Sequence, residues 1–456
     1  MKKNHLLFIL PVLVWLGCDS LDESVSTDTT LQLIFSTDTI SFDTLLSENR
    51  SSTMRLKVLN PNKSAINISS IFLMGGDGSD YSLIINGKNT NSVSNEMISG
   101  GDSILILAEV NVTERDQNLP YLVNDEIVFE WNGNTQDVKL VSYGQDGIRL
   151  SNTVLCNTVW SNDRPYIVSD TLLVDEGCEL TIERGAKIYF ENDAALFIQG
   201  TLTAIGDSSE RITFTNTRFD SGFDEVPGQW NGIYFLEGSS GNHMAYVDIF
   251  NGQVGLRIGT PDDDSDPDVI IENSRIYNMS FAGILAFTSD LRAVNCLVYY
   301  CGRYLIGGFA GGNYEFIHCT ASSVIFDNVP FLSDEPFVQF SDNIILGDGQ
   351  LLAEDLQVTL TNNIIWGSGE DELLFNDGGG ANVDLSINSN IVYSSEEIEN
   401  NFSSTEGNFP GLTATFELDT LSFAKDRGVP AGILIDILGQ NRDANPDIGA
   451  FERIEN

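Results

Sequence analysis

Positive charge is scarce in this chain: its 456 residues hold 23 Lys and Arg against 66 Asp and Glu, a formal net charge of −43. Nucleic acids are held mainly by basic side chains that neutralise phosphates, so this balance excludes them as partners. The deficit is uneven. No Lys lies between Lys187 and Lys425, and neither Lys nor Arg occurs from Tyr304 to Ala424, which makes anionic glycans poor ligands for the later part of the chain. Helical periodicity is also missing beyond Tyr143, where no interval carries an amphipathic helical pattern. Proline is sparse, 12 residues against 41 Gly, so the chain is rich in tight turns. What is present suffices for a large core: 42% of residues are apolar and only 20% charged, which excludes disorder by composition.

The one long apolar run, Leu6 to Leu16, follows Lys2 and Lys3 and ends at Gly17-Cys18. That layout predicts a secretory signal over residues 1–17, too short to remain as a membrane span. A small residue before a cysteine at the end of such a run resembles a bacterial lipobox, with Trp15 where the motif usually has Leu. The resemblance implies lipidation of Cys18 and a membrane partner reached through the lipid anchor. Residues 18–30, beginning Cys18-Asp-Ser-Leu-Asp-Glu23, read as an acidic tether. An acidic patch behind such a cysteine is similar to the surface-export signal of Bacteroidetes-type lipoproteins, which implies an outer-membrane lipoprotein exposed at the cell surface.

Residues 31–145 hold short alternating runs such as Met54-Arg-Leu-Lys-Val-Leu59 and Glu126-Ile-Val-Phe-Glu130, separated by turn residues. This pattern predicts an Ig-like β-sandwich and shows no cluster that carries chemistry. Beyond it the texture repeats. Six triplets, centred on residues 273, 295, 318, 342, 362 and 389, recur at steps of 22, 23, 24, 20 and 27. Such steps fit one coil of a right-handed parallel β-helix, predicted over residues 150–453 with a C-terminal cap. Equivalent positions in neighbouring coils lie about 4.8 Å apart, so Asn273, Asn295, Asn343, Asn362, Asn363 and Asn390 read as architectural turn ladders. The fold class is therefore all-β, a solenoid behind a sandwich.

The series Leu180-Thr-Ile-Glu-Arg-Gly185, Gly200-Thr-Leu-Thr-Ala204, Arg211-Ile-Thr-Phe214 and Gly228-Gln-Trp-Asn-Gly-Ile233 resembles the β-helix lipoproteins of Bacteroidetes, which group with pectate-lyase-like solenoids. The tail, Asp436-Ile-Leu-Gly-Gln-Asn-Arg442 followed by Asp447-Ile-Gly-Ala-Phe-Glu452, is similar to the closing motif of many such proteins. The resemblance spans residues 150–452. It implies fold and leaves activity open, since the same scaffold hosts lyases, hydrolases and inactive members.

Lyases of this fold imply an Arg or Lys base with acids around calcium, and hydrolases imply carboxylates on adjacent coils. The candidates here are Asp220, Asp248, Arg275 and Arg292, against a structural role at strand ends and turns. No Gly-His-Gly loop of the pectin-hydrolase type accompanies them. The run Asp262-Asp-Asp-Ser-Asp-Pro-Asp268 offers Asp262, Asp264 and Asp266 as oxygen ligands for a structural Ca²⁺, the alternative being a solvated insertion. No other cofactor is expected. Cys156 and Cys178 lie one coil apart, as do Cys296 and Cys319. The first pair is a disulfide candidate, while the second reads as stacked core. Tyr300, Tyr304 and Phe309, among glycines, suit stacking on sugar rings, against ordinary core. The sequence thus favours a non-catalytic, glycan-interacting or adhesive surface protein of the envelope, with a polysaccharide lyase or glycoside hydrolase and a pure scaffold as alternatives.

Overall fold

The computed structural model describes residues 24–220, 222–259, 266–324, 335–347, 349–367 and 371–454, and the chain divides into two compact units. The expected signal and Cys18 lie outside the described residues, as do Asp262 and Asp264.

The first unit is residues 24–42, 50–111 and 122–142. Two sheets build a sandwich. One orders Val25–Ser26, Ala65–Leu73, Tyr121–Trp131, Asn134–Gln145 and Thr39–Leu46, with Ser92–Ile98 also on Ala65–Leu73. The other orders Ile34–Phe35, Met54–Leu59, Ser103–Val110, Tyr81–Ile85 and Lys88–Asn89. Alternation sends Leu56, Val58, Ile104, Ile106 and Ala108 inward, all buried. Asn132 (φ 47°) and Gly133 (φ 79°) turn the long hairpin, as two residues that accept positive φ must. The tether expected up to Thr30 ends earlier: Val25 and Ser26 pair in parallel with Ala65 and Ile66, because an open sheet edge there accepts their backbone.

In the second unit residues 148–404 wind into a parallel β-helix with three strand ladders. Face A runs through Ile148–Leu150, Tyr166–Val168, Lys187–Phe190, Ile212–Asn216, Val247–Phe250, Arg275–Met279, Leu297–Cys301, Thr320–Ser322, Ile364–Trp366, Ile391–Tyr393 and Phe402–Ser404. Face B begins at Thr153–Leu155 and ends at Leu373–Asn376; face C begins at Thr158–Trp160 and ends at Val383–Asn388. Two long strands, Ala282–Val294 and Tyr304–Ile317, serve both B and C. The interior is a continuous apolar column, with Phe190 stacked on Trp230 at 4.2 Å between ring centroids.

The turn from C to A explains the sequence repeat. Tyr246, Asn273, Asn295, His318, Asn362, Ser389 and Asn400 all adopt left-handed backbone, which Asn tolerates best among residues with a Cβ. The residue after each turns inward and hydrogen-bonds to its neighbouring coil. Cys319 N donates to Asn363 Oδ1 (2.8 Å), Asn363 N to Asn390 Oδ1 (2.7 Å) and Asn390 N to Asn401 Oδ1 (2.9 Å). One repeat member does not belong. His318 and Asn362 are direct neighbours, 44 residues apart, so the steps of 24 and 20 are a single long coil. Asp342 sits instead at the B-to-C corner, where it accepts hydrogen bonds from Gly379 N (2.9 Å) and Ala381 N (3.3 Å). The extra length of this coil includes a hairpin, Asn343–Ile345 with Leu351–Ala353.

The closing segment lies across the outside of face A rather than over the end of the coil. Its Leu412, Phe416, Leu418, Ile437, Ile448 and Phe451 pack on Leu297, Ile364, Trp366 and Ile391. A buried ionic knot fastens it. Arg442 Nη1 donates to Glu452 Oε2 (3.1 Å), and its Nη2 to Asn295 Oδ1 and Gly449 O (both 2.9 Å). Glu452 Oε2 in turn accepts Asp447 N (3.0 Å), and Asp436 Oδ2 accepts Glu452 N (3.0 Å). These are the residues of the sequence motif, so the motif encodes the fastening of the tail.

Candidate functional site: an aromatic strip on face B

On face B every second side chain points out. Leu172, Leu196, Ile233, Leu256 and Ile284 fill the interior, which leaves Leu173, Phe197, Tyr234, Arg257 and Leu285 as a register row pointing outward, with Leu285 buried beneath Phe287, Tyr304 and Phe309. Phe197 and Tyr234 lie 4.9 Å apart between ring centroids. The Arg257 guanidinium follows, 6.0 Å from the Tyr234 ring and 5.2 Å from Phe287. Phe287 leads to Phe309 at 6.0 Å, Phe309 to Tyr304 at 5.4 Å, and Tyr304 to Phe281 at 5.9 Å. Gly307 continues the row beyond Leu285, and a Cβ there would come within 2.7 Å of the Phe309 ring. Its missing side chain is what lets Phe309 lie over the strand. Arg303 Nε donates to the Tyr304 hydroxyl (2.9 Å), fixing that ring at the rim.

The strip combines flat apolar faces with one charge. Arg257 forms no ion pair among the described residues, whereas Arg211, Arg218, Arg292 and Arg303 do. Its contacts are with rings, which hold a guanidinium without consuming its five N–H donors. Successive coils rise about 4.8 Å, which sets the spacing between Phe197 and Tyr234.

The expected residues separate. Tyr304 and Phe309 are in the strip. Tyr300 is at the end of face A in left-handed backbone (φ 52°), its ring 5.8 Å from Phe416 of the tail. Asp220 lies in the loop after face A, paired with Arg218 Nη2 at 2.6 Å. Asp248 and Arg275 are register neighbours on face A, and Asp248 accepts from Arg211 Nε at 2.9 Å. Arg292 is on face C, with Glu315 Oε2 at 2.6 Å and Glu272 Oε1 at 3.8 Å, while His243 Nε2 lies 3.0 Å from Glu272 Oε2. The four catalytic candidates therefore do not converge: they occupy a loop, face A and face C. Asp266 is described, but the described residues contain no group of three or more metal-ligating side chains. Cys156 and Cys178 are disulfide-linked, with Cα atoms 4.6 Å apart. Cys296, Cys301 and Cys319 are free and buried, and burial pushes the Cys301 thiol up to about 12.

Sequence reasoning missed Phe197, Tyr234, Arg257, Phe281 and Phe287. The apolar–polar alternation through Ala195–Ile198 and Gly232–Phe235 was the available signal, since the residue between two interior positions must face out.

No family model matches this chain, and no curated protein does. Among solved structures, pectate lyase Pel9A aligns at 13% identity and a TM-score of 0.29, over 68% of this chain and 88% of that one. The catalytic unit of the GH87 α-1,3-glucanase from Streptomyces thermodiastaticus aligns at 12% identity and 0.32, over 80% and 77%. The VesB protease of Vibrio cholerae aligns at 11% and 0.18, and this chain spans 31% of its length. Likenesses this distant carry no argument about activity; the strand register alone establishes the parallel β-helix.

Proposed function

We propose that this protein is a lipid-anchored component of the bacterial cell envelope, of the β-helix lipoprotein kind, that holds a glycan along face B without transforming it. The observation that carries the reading is the outer strip of Phe197, Tyr234, Arg257, Phe287, Phe309 and Tyr304 across consecutive coils. Aromatic faces bind the apolar side of a sugar ring, and a guanidinium free of carboxylates donates to hydroxyl or acidic oxygens. Binding without turnover follows from where the acids are. Glycoside hydrolysis needs two carboxyl groups on either side of one bond, whereas Asp248, Glu272 and Glu315 are each committed to an arginine or histidine on other faces. The lipid anchor at Cys18 and the tether behind it would hold the folded chain at the membrane surface.

The test is a glycan array probed with the soluble chain and with the combined Tyr234→Ala, Phe287→Ala, Phe309→Ala variant. The expected result is retention of a defined set of glycans by the parent and its loss in the variant, with released sugar absent from both. Equal retention by the variant refutes the strip as the site, and release of reducing ends by the parent refutes the non-catalytic reading.

A further inference from the structure

Among the described residues the last coil has no further strand stacked on it along faces B and C, where a solenoid usually carries a polar cap. Leu373–Asn376 on face B pairs only with Val338–Ser341, and Val383–Asn388 on face C only with Leu356–Thr361. Among the described residues no strand lies on the far side of either, and apart from Ile387 O, which accepts from Asn401 Nδ2 at 2.9 Å, their outer edges have no strand partner. The interior is open with them. Val358 is fully buried, yet Leu385, its neighbour in the same inward row, is 40% exposed. Phe375, Val383 and Ile387 are only half-buried, and Ile398 from the final turn covers part of this floor. Leu374, pointing outward beside them, is 43% exposed. A cavity of about 540 Å³ adjoins the end, lined by Glu397, Ile398, Glu399, Phe402 and Phe409 among others.

We infer that this end of the coil is a docking surface for an extended, basic segment of another protein, added as a further strand. Open edges and an apolar floor are what strand addition uses: the backbone supplies hydrogen bonds and alternate side chains fill the floor. The charge selects the occupant. Asp377, Asp384, Glu396, Glu397 and Glu399 are exposed on this last coil, and residues 342 to 399 include no basic side chain. A second copy of the chain would bring the same acids against them, and like charges across an interface cost several kcal/mol. A segment with apolar residues facing inward and Lys or Arg on its flanks meets both features at once. This surface is separate from the aromatic strip and does not rest on the glycan reading.

The experiment uses the full chain and two labelled peptides that share one short alternating Val/Thr core, flanked in one by lysines and in the other by glutamates. Fluorescence anisotropy should show binding of the lysine-flanked peptide, weakened by salt, and at least about tenfold weaker affinity in Leu385→Lys and in Leu374→Lys. Both substitutions fall on exposed side chains, and far-UV circular dichroism checks that each variant is folded. Binding should survive the Tyr234→Ala, Phe287→Ala, Phe309→Ala change. No binding by either peptide, equal binding by both, or undiminished binding in both lysine variants overturns the inference. Sedimentation showing a dimer that Leu385→Lys dissolves also overturns it, in favour of a second copy.

Discussion

His318 offers the sharpest test of how the tail is held. Its imidazole occupies the left-handed position that Asn fills at 273, 295 and 362. It is fully buried under the closing segment, with Nδ1 unpartnered and Nε2 accepting from Asn362 Nδ2 at 2.9 Å. Burial, and then the charge of Arg442, lower its pKa from 6.5 to about 3. Above about 6.5 the ring is neutral in both folded and unfolded chains, so the stability it supports is fully present there. As pH falls, the unfolded chain takes up a proton that the folded chain refuses until about 3, and stability drops by up to about 1.4 kcal/mol per pH unit. Asp447 acts in the opposite sense. Burial raises its carboxyl from 3.8 to about 6, so the folded chain keeps a proton that the unfolded chain releases, and this group gains stability as pH falls through that window. Between about pH 6 and about pH 4 the two slopes offset each other in the parent.

His318→Asn removes only the first. At neutral pH the change should stay within about 1 kcal/mol, since Asn suits the backbone and the unpartnered N–H disappears while some ring volume is lost. Two pH units below 6.5 the variant should be more stable than the parent by about 3 kcal/mol relative to their difference at neutrality. Urea unfolding at about pH 7.5 and about pH 4.5 measures this, and amide exchange over residues 436–452 locates it. Gly449 N, which donates to Asn362 O at 2.8 Å, is a direct reporter there. A parent-to-variant difference that stays constant between the two pH values refutes the reasoning.

Reducing the disulfide, or replacing Cys156 and Cys178 by Ala, frees a closure of 22 residues and should cost about 3 kcal/mol. The urea midpoint with and without reductant reads it, and a shift near zero contradicts the estimate. Arg442→Met leaves Glu452 and its buried neighbours without their cation and should loosen the tail by about 3–5 kcal/mol. Limited proteolysis within residues 408–453 should accelerate accordingly, and an unchanged cleavage rate would mean that the apolar contacts alone hold the segment.

The repeat was legible because one corner of each coil requires positive φ, and Asn is the residue type that betrays such a corner. The same signal misled at Asp342. Ser341-Asp342-Asn343 is also a turn, but at a different corner, and composition reports that a turn exists without reporting which one. Tyr300 and Tyr304 show the parallel limit for the site. They are four residues apart, yet a turn places them on different faces, so one ring sits under the tail and the other in the strip. Interior alternation could be read from single strands. The row Phe197, Tyr234, Arg257 required the register between coils, which sequence steps of 37 and 23 residues do not reveal. The tail motif was recognisable by its residues, but its target, Asn295, lies 147 residues from Arg442.

The three faces of the coil do different work, and that division is the strongest argument for placing function on face B. Face A is occupied from Leu297 onward by the chain's own tail, whose apolar residues and ionic knot consume its outer surface. Face C carries a polar row in which His243, Glu272, Arg292 and Glu315 satisfy one another across neighbouring coils. Such pairing ties up donors and acceptors that a ligand would need. Face B has neither a covering segment nor a matched set of charges among the described residues. In a chain with nearly three acids for every base, Arg257 is held by the Tyr234 and Phe287 rings and forms no ion pair among the described residues. An arginine so placed keeps its N–H donors available. On face B an arginine with no ion pair among the described residues, set in a line of aromatic rings, is the part of the surface organised for an outside ligand.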